Sequence, residues 1–233
     1  MRLAARVEGS NLRKPPNQPH EGPKLGGVRR PWWRTLFPAT PDVVALLVKQ
    51  GDQTLAGMDA FSDWSHRGGQ DIAAAVRSAQ HDAYRARREL LSALQAALST
   101  PVDQEDLFIL SERIDRVLSK ARDALREAEV LGHKPDVHSA KMADRLAVGT
   151  RALVTGFQIL RSDPDEAGRQ ADTASDAVHH VERDYREAMA ELLTSDNPRL
   201  IFAGERFYRR YLEVADTIVA VADRLWFVVL RSA

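Results

Sequence analysis

Beyond residue 41 the chain contains only four prolines, Pro101, Pro135, Pro164 and Pro198, and between them apolar side chains recur every three or four positions over long stretches. A proline lacks the backbone donor and clashes with the preceding turn, so each one closes one helix and opens the next. Gly68-Gly69 supplies one further break. The spacing therefore predicts six helices, at about 42–65, 71–99, 103–131, 137–160, 165–193 and 199–231. The third carries Leu107, Leu110, Ile114, Val117, Leu118, Ala121, Leu125, Ala128 and Leu131 on one stripe, and the sixth carries Tyr211, Ala215, Ile218, Ala222, Leu225 and Val229. Aromatics are only 6% of the chain and the common residues are helix formers, so sheet is not expected and the fold class is all-α.

Local signals agree with these boundaries. Thr100-Pro101-Val102-Asp103 and Asp163-Pro164-Asp165-Glu166 each read as a capping side chain, a proline at the first helical position and a carboxylate three residues after the cap. Gly132 reads as a stop. Helices two and three also lie over five and six. His81-Asp82-Ala83-Tyr84 and Glu89-Leu90 align with His179-His180-Val181-Glu182 and Glu187-Ala188, and Glu112-Arg113-Ile114-Asp115 aligns with Glu213-Val214-Ala215-Asp216. This predicts two similar three-helix halves, at about 42–131 and 137–231.

Residues 1–40 differ in character. Seven prolines fall within the first 41 residues, and the first 40 hold eight basic residues against two acidic ones. The arm is thus +6 and the remainder −6, within a chain of zero net charge. We expect a loosely attached basic arm at 1–40 and a helical bundle at 41–233. The longest apolar runs, Val43–Val48 and Leu225–Leu230, are far shorter than the roughly 20 residues of a membrane span. No secretory leader is expected either, and the absence of cysteine fits a cytoplasmic protein while excluding disulfides, thiolate metal sites and a cysteine nucleophile.

No nucleophile elbow, phosphate loop, zincin motif or dinucleotide fingerprint is present, so no catalytic residues are assigned and an enzyme is not expected. The repeated Glu-x-x-Asp pair remains, formed by Glu112 with Asp115 and by Glu213 with Asp216. With Ile114 taken as the core direction, Asp115 lies about 100° away and Glu112 about 160° away, so both are expected to point outwards. Such residues are usually a solvated face. The alternative is a hard-cation site assisted by His81 and His179, since carboxylates gathered from neighbouring helices suit iron or a divalent cation. On the arm, Arg29-Arg30-Pro31-Trp32-Trp33-Arg34 places two aromatics among cations. That pattern suits an anionic membrane surface or an acidic partner, and equally a tail whose Trp residues fold back onto the bundle. A body at −6 does not suit nucleic acid.

The stretch Thr100-Pro101-Val102-Asp103-Gln104-Glu105-Asp106-Leu107, followed by Leu110 and Ile114-Asp115, resembles the T-P-x-D-x-E-D-I signature of the PhoU-like family of phosphate-transport accessory proteins, often encoded beside Pit-type transporters. Asp184-Tyr185-Arg186-Glu187-Ala188 and the Glu213, Asp216, Asp223 pattern resemble its second half, so the likeness runs from about residue 33 to the C-terminus. The resemblance implies a six-helix PhoU-like bundle of two three-helix repeats and a cytoplasmic regulator that binds a Pit-type phosphate transporter or its regulator. A homodimer is left open. The resemblance also implies surface metal clusters held by E-x-x-x-D motifs. Here Gln80 and Tyr84 stand in helix two, Val178 and Glu182 in helix five, Asp115 and Ser119 in helix three, and Leu212 and Asp216 in helix six. The carboxylates available to a cation are therefore Asp115, Asp216 and Glu182, with Glu112 and Glu213 beside them. The five neutral replacements cannot supply the anionic oxygens of a multinuclear cluster. No cofactor beyond a divalent or iron cation is expected.

Overall fold

A computed structural model of the chain describes residues 42–97 and 99–232, and the expected arm with Arg29, Arg30, Trp32, Trp33 and Arg34 lies outside the described residues. Six helices follow in order: α1 (Val43–Arg67), α2 (Gln70–Ala96), α3 (Gln104–Leu131), α4 (Val137–Ile159), α5 (Pro164–Leu192) and α6 (Pro198–Ser232). No strand occurs among the described residues.

The boundaries follow from capping chemistry. Gly68 (φ 65°) and Gly69 (φ 95°) hold left-handed backbone that other residues avoid, which turns α1 into α2. Gly132 closes α3 in the same way (φ 65°). The Asp163 carboxylate accepts from the Glu166 N–H, with Pro164 in the first turn. Asp136 and Ser139 form a reciprocal capping box at α4. The expectation that Thr100 caps helix three is corrected. Thr100 Oγ1 donates instead to the Val102 carbonyl at 2.5 Å, and Asp103 caps α3 by accepting from the Glu105 N–H at 2.8 Å. The turn at Pro101 buries Val102 before the helix begins, and the carboxylate that follows is the one within reach of the free donors.

The packing repeats as the sequence does. In the first half α1 packs on α2 and α3, and α2 on α3; in the second half α4 packs on α5 and α6, and α5 on α6. The halves join through α1 against α4 and α3 against α6. Among the described helices α2 and α5 touch only their own half, so each buries one Ala-rich stripe: Ala73, Ala83 and Ala86 on α2, Ala167, Ala171 and Ala174 on α5. The small residues let neighbouring backbones approach. A methyl group on Gly57 of α1 would come within 2.6 Å of Leu118 on α3, and one on Gly156 of α4 within 2.7 Å of Leu225 on α6. The single stripe predicted for α3 is buried from Leu107 to Ala128, as are the six positions predicted for α6. Polar contacts also cross this core: the Gln50 amide donates to the Ser111 carbonyl at 2.8 Å and accepts from its hydroxyl at 2.6 Å, and the Ser65 and Tyr211 hydroxyls meet at 3.0 Å.

Candidate functional site

The expected carboxylates fall in three places: the α2–α3 face, the seam between α3 and α6, and the α5–α6 face. On the α2–α3 face Asp115 is half-buried rather than turned to solvent. Arg87 Nη1 donates to its Oδ2 at 3.1 Å. Burial raises the Asp115 carboxyl above its ordinary value, while the Arg87 guanidinium opposes the rise. Glu112 is also half-buried and pairs with Arg116 one turn on. The outward direction expected for these two is thus only partly realised. The α3 surface lies against α2, and long arginines fold over it. Arg122 Nη1 donates to Gln80 Oε1 at 2.8 Å, and Gln80 Nε2 in turn reaches Ser119 Oγ at 3.5 Å, so a second guanidinium is bonded to one of the two positions where a neutral residue replaces an acid. Tyr84 and His81 are exposed on this face.

Glu213 sits between α6 and α3, where it accepts from Lys120 at 2.9 Å and from Arg210 at 3.0 Å. Burial would raise its carboxyl, but the two cations hold it below the ordinary glutamate value.

The α5–α6 face is built differently. Val178, Leu212, Ala215 and Val219 line a cleft of about 320 Å³ together with His179, Glu182 and Asp216. Val178 and Ala215 are buried, whereas His179, Glu182 and Asp216 are exposed. The structure thus brings Glu182 and Asp216 to one cleft and leaves Asp115, Glu112 and Glu213 elsewhere, each bonded to a cation of the chain. Among the described residues no group of three or more His, Asp or Glu side chains is placed to hold a metal ion. The donors present therefore do not fit the multinuclear cluster that the resemblance implies.

Two acids that the sequence placed in the family motifs but not among the candidate ligands are the most buried acids among the described residues. Asp106, only 1% exposed, accepts from Arg224 and, at 3.1 Å, from Arg231, which ties the start of α3 to the end of α6. Within the Thr100–Leu107 signature, then, Asp103 caps and Asp106 anchors. Asp184, fully buried on α5, receives Arg145 and, at 2.9 Å, Lys141, both from α4. Burial would raise the Asp184 carboxyl, but these two cations hold it below the usual aspartate value. The sequence carried a signal for both residues. Asp106 precedes Leu110 by four positions and Asp184 follows Val181 by three, so each lies on the buried stripe of its helix.

At the end where α3 meets α4, the His133 ring packs on Phe207 (centroids 4.9 Å apart) and the Tyr208 hydroxyl donates to Asp136. His133 Nε2 is buried there without a hydrogen-bond partner, and burial lowers the imidazole pKa, with Asp136 opposing. No helix among the described residues is long and apolar enough to cross a membrane.

No protein-family model and no curated protein sequence matches the chain. Solved structures do. A PhoU-like protein from Shewanella oneidensis MR-1 superposes with a TM-score of 0.67 at 17% identity, covering 81% of this chain and 99% of that one. A putative PhoU-like phosphate regulatory protein from the same organism superposes with a TM-score of 0.63 at 14% identity and the same coverages, 81% and 99%. This chain therefore has the PhoU-like fold, with its six helices in two like halves joined through α1–α4 and α3–α6.

Proposed function

We propose that the protein is a regulator of inorganic phosphate transport that acts on the cytoplasmic side by binding a transport protein of the Pit type, or that transporter's own regulator, rather than by turning over a substrate. One observation carries this reading. The bundle shares its fold over 81% of its length with a putative PhoU-like phosphate regulatory protein. The signature at Thr100–Leu107 that prompted the same reading from sequence proves to be a working part of that fold, through the Asp103 cap and the Asp106 anchor. A binding role also agrees with the carboxylates on the α2–α3 face, which are bonded to arginines of the chain and so are not free for acid–base work.

The test is physiological. Removing the protein from its host should change the initial rate of radiolabelled phosphate uptake or the internal phosphate level, and the full chain should restore it. Unchanged uptake and unchanged internal phosphate, in both rich and phosphate-poor medium, would exclude the role.

A further inference from the structure

The two repeats treat equivalent faces in opposite ways. In the first, Asp115 is bonded to Arg87, and Arg122 is bonded to Gln80 beside it. The alignment that pairs His81 with His179 and Glu112 with Glu213 places Tyr185 opposite Arg87 and Asp223 opposite Arg122. The second repeat therefore keeps the aspartate, as Asp216, and lacks both guanidinium groups. It also places Ala215 where the first repeat has Ile114. Among the described residues Asp216 accepts from no side chain, and Glu182 pairs only with Arg186, one turn on and two-thirds exposed, an arrangement worth little in water. His179 uses Nδ1 on its own helix, 3.1 Å from the Ser175 carbonyl. What remains is the small cleft with aliphatic walls and an acidic rim.

We propose that this α5–α6 cleft is the docking site for a short segment of a partner protein carrying an arginine or lysine beside an aliphatic side chain. The cation lies between Asp216 and Glu182, and the aliphatic group lies on Val178, Leu212, Ala215 and Val219. Charge complementarity argues for this occupant, and the first repeat displays the chemistry, since the same face there is satisfied by the chain's own arginines. A guanidinium, with five donors in a planar fork, can serve two carboxylates on the rim of one cleft. The volume, about 320 Å³, is at the small end for ligand pockets and suits side chains rather than a large cofactor. The proposal rests on the regulatory reading and adds the chemistry of the partner.

The full-length protein, with Leu212→p-benzoylphenylalanine, is irradiated in its own host and the crosslinked peptide is mapped; a second version carries the photoreactive group at His179, which is exposed, in case the first disturbs packing. Both are accepted only with an unchanged melting temperature. The expected result is a crosslink to a partner segment with an arginine or lysine adjacent to an aliphatic residue, with the yield reduced about tenfold by Asp216→Arg and less by Asp216→Asn. A crosslink to a segment without a cation, to a second copy of this chain, or to nothing overturns the proposal, as does a yield indifferent to Asp216→Arg. If the mapped segment is basic and aliphatic but belongs to a protein unconnected with phosphate, the docking chemistry stands and the regulatory reading falls.

Discussion

Arg87 of α2 and Asp115 of α3 meet with Nη1 donating to Oδ2 at 3.1 Å, so a guanidinium occupies the carboxylate that the family resemblance would give to a metal. Burial already raises the Asp115 carboxyl and Arg87 restrains it. Arg87→Ala should therefore move the Asp115 titration midpoint further up, followed by carboxyl carbon NMR. The same change should cost about 1 kcal/mol at neutral pH, as befits a half-buried charged hydrogen bond. A midpoint that stays put or falls would mean the pair does not form in solution.

Asp106 and Arg224 test a deeper pair. Removing the acid alone leaves Arg224, only 15% exposed, without its main partner. Asp106→Ala should cost about 3–5 kcal/mol in a urea titration. Replacing both ends by apolar residues, Asp106→Leu with Arg224→Met, should recover most of that loss, because no uncompensated charge remains buried. If the double variant were as unstable as the single one, the pair would contribute through shape rather than charge.

Gly57 and Leu118 should show strong coupling. Leu118→Ala removes a fully buried side chain and should cost about 2–5 kcal/mol. Gly57→Ala pushes a methyl group to 2.6 Å from the same leucine and should cost about 1–3 kcal/mol. Combined, the two should cost clearly less than their sum, since the new methyl enters the space the leucine leaves. Additive losses would show that α1 and α3 do not approach at this point.

His133 gives a pH dependence of definite sign. Its imidazole pKa is lowered by burial, so the folded state favours the neutral ring. The associated stability is present above the unfolded value of 6.5 and is lost as pH falls below it through the depressed folded value. His133→Phe should flatten the fall in melting temperature as pH drops below 6.5. An unchanged slope would assign the acid sensitivity to other groups.

Helix number, order and burial were legible because prolines, glycine pairs and three-or-four spacing act locally, and each is written within a few residues of its effect. The second start signal held at Asp163, and the first failed at Thr100 for an equally local reason: two possible caps lay three residues apart, and the buried Val102 between them decided which one met the helix. The site was less legible. Counting acids identified Asp115 and Asp216 as equals, yet whether a carboxylate is free or bonded depends on a side chain from another helix. The Arg87 and Tyr185 positions that distinguish the two faces are 28 residues from Asp115 and 31 from Asp216 along the chain. Asp106 and Asp184 stood in the quoted motifs without a role for the converse reason. Each acid on a buried stripe looks like an interruption until the arginine that neutralises it is seen.

The bond between Asp106 and Arg224 spans 118 residues and that between Asp106 and Arg231 spans 125. A ribosome adding ~5–20 residues per second completes the first half many seconds before it releases either arginine. Through that interval α1 and α3 are made but lack α4 and α6, and their exposed seams are the ones an identical second half would fit. A neighbouring nascent chain on the same message offers that half at high local concentration. Exchange of halves between molecules, hinged at the short connection from Gly132 to Asp136, is thus the misassembly to which this architecture is most open.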